Sequence, residues 1–216
     1  MTIIRFIGDV HCKWDRYKKL IISAPDKKSL QVGDFGVGFR NLHGDWLSNP
    51  PYTTMKSGEH RFIRGNHDNP TVCKCQTLWV PDGLTCFNGS IFCVGGAESY
   101  DKHLRNPGLD WWEDEELSYG RLQEIIDVYA ETKPDIVVTH DASNEALALA
   151  THYRELTIGK ATCGQRTRSA FDAMLEIHRP KVWVNGHWHT RWDHEFKGTR
   201  FIGLEELGVI DLEVDC

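Results

Sequence analysis

Short apolar runs alternate with amphipathic stretches along most of the chain. Ile3–Ile7 is a β-branched run with Phe6 inside it, and it stops at Gly8, the pattern of a buried strand. Asp15–Ser23 then places Tyr17, Leu20 and Ile21 on one face, as a helix would. Leu30–Val32 and Arg61–Ile63 are two more short strands, stopped by Gly33 and by the turn-forming residues from Gly65 to Pro70. Phe35–Gly58 between them is rich in Gly, Asn and Pro and reads as loop around one short helix. Leu84–Phe87 and Ser90–Val94 flank Asn88-Gly89, the strongest short-range hairpin signal. After a long insertion, Gly95–Asp114, helical spacing returns with Leu122, Ile125, Ile126 and Tyr129, and Pro134 ends it. The acidic run Glu113–Glu116 reads as a solvated helix start, favoured there by the macrodipole. Ile136–Thr139 is a strand, and Arg166–His178 is a helix with Phe171, Met174 and Leu175 inward. Strands follow at Val182–Val184, Arg200–Ile202 and Val209–Val214.

Helices and strands alternate at both ends, with a hairpin in the middle. This predicts a single α/β domain over residues 1–216 with mixed sheets, free of repeats. Composition changes little: 40% apolar and 26% charged residues are an ordinary globular balance. The net charge of -6 counts against a protein that grips long duplex through many phosphates. Seven cysteines form an odd set without zinc-knuckle spacing, since Cys73 and Cys75 are only two apart, so they read as reduced thiols in a cytoplasmic protein. The opening MTIIRFIGDV has neither a basic leader with a cleavage site nor a long apolar span, which implies no export and no membrane.

The chemistry sits where the strands stop. Asp9 and His11 follow the first strand, Asp34 the second, and Asn66, His67 and Asp68 the third. His140, and then His187 and His189, follow two later ones. Open α/β sheets build sites beyond the carboxyl ends of their strands. In extended geometry residues i and i+2 face one side, so each Asp9/His11 or His187/His189 pair is expected to reach one ion. Carboxylate, imidazole and amide donors suit manganese, iron, zinc, cobalt or nickel better than calcium or magnesium, with manganese the first choice. Seven donors exceed one tetrahedral site and suit two ions sharing a carboxylate.

In this order the motifs resemble the calcineurin-like metallophosphoesterase superfamily: Asp9-Val10-His11, Gly33-Asp34, Gly65-Asn66-His67-Asp68, His140 and Gly186-His187-Trp188-His189. The stretch VGGAESYDKHLR followed by WWEDEELS resembles a segment of small bacterial and phage-encoded members. The resemblance implies a four-layer α/β/β/α sandwich with two mixed sheets and a dinuclear metal site at the strand ends. Asp9, His11 and His189 would hold one metal, Asn66, His140 and His187 the other, and Asp34 would bridge them. His67 would face the scissile bond and Asp68 would orient it. A metal-bridging hydroxide would attack phosphorus in line, on a phosphodiester or phosphomonoester. The sequence departs from the Ser/Thr phosphoprotein phosphatases at GDFGVGF, which lacks their phosphate-binding arginine, and Cys12 stands where a glycine is usual.

The insertion is expected to border the cleft. Lys102, His103 and Arg105 are candidates to meet phosphate oxygens, and Trp188, Trp111 and Trp112 to stack on a base or aryl group. The substrate is then a nucleotide or other small phosphoester. The alternatives are a nuclease or nucleic-acid end-processing phosphatase acting on single strands, and a non-catalytic scaffold of the kind a retromer subunit makes from this fold.

Overall fold

The computed structural model describes residues 1–40, 43, 49–150 and 164–215, so part of the Phe35–Gly58 stretch, Cys163 and Cys216 lie outside the described residues. One sheet contains β1 (Thr2–Ile7), β2 (Lys28–Gln31), β3 (Glu59–Phe62) and the last strand, β10 (Val209–Val214). Their order is β10-β1-β2-β3, with β10 antiparallel to β1 and the others parallel. The other contains β4 (Leu84–Cys86), β5 (Ile91–Val94), β6 (Ile136–Thr139), β7 (Val182–Asn185), β8 (Trp192–Phe196) and β9 (Thr199–Gly203). Here the order is β4-β5-β6-β7-β9-β8, the inner strands parallel and both edge strands antiparallel to their neighbours.

The strand pleat sends neighbouring residues to opposite faces, and three apolar layers result. Ile4, Phe6 and Leu30 of the first sheet meet Ile91, Cys93, Val138, Val184 and Ile202 of the second. The alternate residues Phe92, Val137, Trp183 and Phe201 face outward, against Ile125 and Tyr129 of α4 (Tyr119–Thr132) and Phe171, Met174 and Leu175 of α6 (Gln165–Ile177). On the far side Ile7 and Phe62 pack on Trp14, Tyr17 and Ile21 of α1 (Trp14–Ile22) and Met55 of α2 (Tyr52–Met55). Helix, sheet, sheet, helix is therefore the order of layers, as expected.

Three features differ from the sequence reading. β8 is an additional strand whose residues are mostly exposed; an edge strand of polar composition gives no apolar alternation to read. Two short helices, α3 (Pro70–Cys73) and α5 (Asn144–Leu149), start at the side-chain caps Asn69 and Ser143. The acidic run is not a helix start and only its first half is solvated: Glu113 and Asp114 are exposed, Glu115 and Glu116 are 2% and 9% exposed, and α4 begins at Tyr119 behind its cap Ser118. Glu116 accepts from the N–H and hydroxyl of Thr167 and from Arg166, tying this segment to the start of α6.

Candidate metal centre

Every donor-bearing turn begins just after a parallel strand stops: β1 before Asp9 and His11, β2 before Asp34, β3 before Asn66, β6 before His140, β7 before His187 and His189. The turns are tighter than extended chain. His11, Asp34, His187 and His189 have φ of 46°, 54°, 67° and 52°, a region that costs a non-glycine residue about 1–3 kcal/mol. The expected extended i, i+2 geometry is thus corrected; left-handed turns, not the pleat, aim these side chains. Hydrogen bonds between loops hold them. Val10 and His11 donate N–H bonds of 3.0 and 2.9 Å to the Asp34 carbonyl, and His187 N–H lies 3.1 Å from both carboxylate oxygens of Asp9. A Cβ on Gly65 would stand 2.1 Å from Asp34 Oδ1, and one on Gly186 2.2 Å from Asp9 Oδ1. These glycines make room for a carboxylate arriving from another loop.

The donors form two groups with Asp34 in both. Asp9, His11, Asp34 and His189 offer atoms all within 4.8 Å of one another, and so do Asp34, His140 and His187. His189 Nε2 is 2.9 Å from Asp9 Oδ2 and 3.0 Å from His11 Nε2. His140 Nε2 is 3.1 Å from both Asp34 Oδ1 and Asn66 Oδ1, while its Nδ1 lies 2.9 Å from the Val32 carbonyl, to which it donates. Nε2 of the neutral ring therefore points a lone pair at two oxygens. Such an arrangement repels unless a proton or a cation sits within it. Asp9 and Asp34 are 0% and 2% exposed, and among the described residues no lysine or arginine pairs with either. Titration follows suit. Burial opposes ionisation of Asp34, but the facing His140, His67 and His11 hold its carboxyl well below the usual range. Burial likewise opposes charge on His140, yet Asp34 and Asp9 raise it to about 10. A buried, cation-seeking set of imidazole, carboxylate and amide donors fits divalent transition metals.

His67 stands beside these groups rather than in them. Its N–H donates to Asp34 Oδ1 (2.7 Å), its ring stacks on Phe39 at 5.2 Å, and the edge of His11 is 4.8 Å away. Arg105 Nη2 lies 2.8 Å from His67 Nε2, and Asp101 holds that guanidinium at 2.7 and 2.9 Å. Burial pushes His67 down to about 4 against the pull of Asp34, and Arg105 adds to the drop. The ring is neutral and accepts from the arginine. A cavity of about 200 Å³ opens here, lined by His11, Asp34, Asn66, His67, His187 and His189 and, from the insertion, Tyr100, Asp101 and Arg105.

The sequence matches the model of the calcineurin-like phosphoesterase family over residues 3–191. The chain belongs to that family. Among solved structures, it is similar to a protein from Staphylococcus aureus assigned provisionally as a 5′-nucleotidase, crystallised with alpha-ketoglutarate: TM-score 0.55, 13% identity, 99% of this chain covered and 51% of that one. At this identity the likeness is one of fold, and the chain spans about half the length of that neighbour. No curated protein matches it by sequence.

In this calcineurin-like phosphoesterase the expected substrate residues separate. Arg105 lies on the cavity wall. Lys102 instead bonds Glu98 at 2.5 Å and faces a second cleft, of about 980 Å³, across the insertion. His103 is exposed on a 3-10 turn, Lys102–Leu104, and does not line the cavity. Trp188 cannot stack on a substrate: it is buried in the helix-side layer and donates its N–H to Asp141 Oδ1 at 2.8 Å. Trp111 lines the second cleft, and Trp112 meets the edge of Phe39.

Asp68 does not orient His67. It accepts backbone N–H bonds from Phe35 (3.0 Å), Gly36 (2.6 Å), Val37 (2.8 Å) and Gly65 (2.7 Å), and so locks the loop after β2 to the loop after β3. Burial and the charge of Asp34 raise it to about 6 despite these donors. The partner of His67 is Arg105, and its support Asp101 went unread although the i, i+4 spacing of Asp101 and Arg105 was a usable signal. Phe39 and Tyr100 carried none.

Proposed function

We propose that this chain is a metal-dependent phosphoesterase, a single domain that hydrolyses a phosphomonoester or phosphodiester of a nucleotide or other small ester at a two-cation centre. The observation that carries this is the place of Asp34 in both donor groups. Asp9, His11 and His189 would hold one cation, Asn66, His140 and His187 the other, and Asp34 would join them. Bound there, the cations supply charge that activates water and steadies a phosphoryl group in transfer. Manganese, iron, zinc, cobalt and nickel all suit a donor set mixed in this way, and manganese is the ion chosen for the test.

The remaining residues support the same reading. Arg105 sets a guanidinium at the cavity wall and can serve the phosphoryl oxygens in place of the arginine missing from GDFGVGF. When it turns to those oxygens, His67 Nε2 is released to hold a proton for the leaving oxygen. The cavity, about 200 Å³, falls below the roughly 300 Å³ that encloses a drug-sized ligand. It suits a phosphoryl group, with the rest of the ester at the rim beside Tyr100. The nuclease alternative asks for an unbalanced basic groove. The second cleft brings Arg64, Lys74, Lys102, Arg121 and Arg166 but also Asp82, Glu113, Asp114 and Glu116, with Arg64 paired to Asp82 and Arg166 to Glu116.

The test is hydrolysis of p-nitrophenyl phosphate and bis-p-nitrophenyl phosphate by the manganese-loaded chain. At least one ester should be turned over, and D34N should lose both manganese equivalents and most of the rate. Inertness toward both esters at saturating manganese, or a fully active D34N, would overturn the proposal.

A further inference from the structure

We infer that Ser99 and Glu115, on the segment between β5 and α4, are positioning residues that fix which end of the Asn66 amide faces the second donor group and so set the affinity of that group for its cation; this rests on the assignment of Asn66, His140 and His187 as ligands. A side-chain amide has one end that binds a cation and one that repels it, and the two have nearly the same shape. At Asn66, Nδ2 donates to Ser99 Oγ at 3.0 Å, which turns Oδ1 toward His140 Nε2. A serine hydroxyl can donate or accept, so something must decide its direction. Glu115 does. Its Oε1 takes the Ser99 N–H at 2.6 Å and its Oε2 the Ser99 hydroxyl at 2.8 Å. Burial raises the Glu115 carboxyl to about 7, so above that pH it is ionised and only accepts; the hydroxyl proton is then committed to Glu115 and Oγ is left to accept from Asn66.

The far end of this relay is anchored. Arg64 donates to the carbonyls of Glu115 (2.7 Å) and Asp114 (3.2 Å) and to Asp82 Oδ2 (2.8 Å). Asp82 Oδ1 also takes the N–H of Gly95, where the segment begins, at 2.6 Å. Asn66, Ser99, Glu115, Arg64 and Asp82 are all buried, so water does not compete for these bonds. The segment thus reaches the centre twice, through Arg105 at His67 and through Ser99 at Asn66. Outer partners of metal ligands are worth about 10–100-fold in metal affinity when removed.

The experiment is titration of the metal-free chain with Mn²⁺ alone at pH 8, read by calorimetry and by the electron paramagnetic resonance of an exchange-coupled manganese pair. The wild type should bind two equivalents. S99A should keep the first affinity, weaken the second roughly 10–100-fold, and lose the coupled-pair signal at limiting manganese. E115Q, which keeps the shape but lets an amide N–H donate to Ser99 Oγ, should act in the same direction. In an N66D background S99A should cost nothing further, because a carboxylate presents an oxygen whichever way it turns. Undiminished second-site affinity in folded S99A or E115Q would overturn the inference, as would an equal loss in the N66D background, which marks general disruption. Failure of the wild type to bind any Mn²⁺ would overturn the ligand assignment itself, and the relay with it.

Discussion

His67 is gripped from several sides, by Asp34 at its N–H, Phe39 on its face, His11 at its edge and Arg105 at Nε2. None of these contacts is a metal bond in the proposed scheme. H67A should therefore retain both manganese equivalents while its kcat falls about 10²–10⁴-fold, the usual worth of a proton-transfer group; metal analysis beside steady-state kinetics reads both. Asp68, the next residue, should behave in the opposite way. D68A strips the acceptor from four backbone N–H groups, at about 1–3 kcal/mol for each one left unsatisfied. Native domains have only about 5–15 kcal/mol to lose, so D68A should show a sharply lower urea midpoint or fail to accumulate. The contrast shows where the sequence stops informing. Donor residues were legible because each follows closely on an apolar run, and Asp9, Asp34, Asn66 and His187 come directly after a glycine. The surroundings of Asp68 and Trp188 were not, because their partners, Phe35 to Val37 and Asp141, come from distant loops.

The β2–β3 pair carries a polar couple in a buried position. Ser29 and His60 stand opposite each other in register, and Ser29 Oγ lies 2.8 Å from His60 Nδ1. Burial, aided by Arg61, lowers His60 from the ordinary 6.5 to about 4. The neutral ring is the form the fold accepts, so the sign is fixed: its contribution is whole above pH 6.5 and is lost as pH falls through about 4. Urea midpoints measured across that window should fall less steeply for H60N than for wild type. Apolar strands and helices such as β6 and α6 could be read within a residue or so, because burial on one or both faces imposes a period. β8 escaped because its edge position demands little burial, and the acidic run misled because Ser99 and Thr167 bury it from other elements.

On the scale of the molecule, the two sheets supply different donors. Asp9, Asp34 and Asn66 hang from β1, β2 and β3; His140, His187 and His189 hang from β6 and β7. Each proposed cation would draw on both sheets and clamp the apolar layer between them. Metal loading should then raise the melting temperature, by the equivalent of about 2.7 kcal/mol at a hundredfold excess over Kd, and a chelator should reverse it; a melting curve indifferent to manganese would count against the clamp. Alternation of helices and strands predicted an α/β domain with mixed sheets, and the family resemblance implied its four layers. That the long segment after β5 borders the cleft was expected, but its contacts with His67 and Asn66 were not, since they exist only once the chain is folded.

β1 is paired with β10, a strand far from it in sequence: Thr2 lies opposite Val214 and Ile7 opposite Val209. β1 can find β2 across a short stretch of chain, yet its other edge stays open until the distant β10 docks. The strand that delivers Asp9 and His11 thus depends on a partner far along the sequence, and a partly folded chain in which β10 has not docked displays a bare, apolar edge to its neighbours. Slow docking of β10 would leave that edge as the place where one folding chain could pair with another.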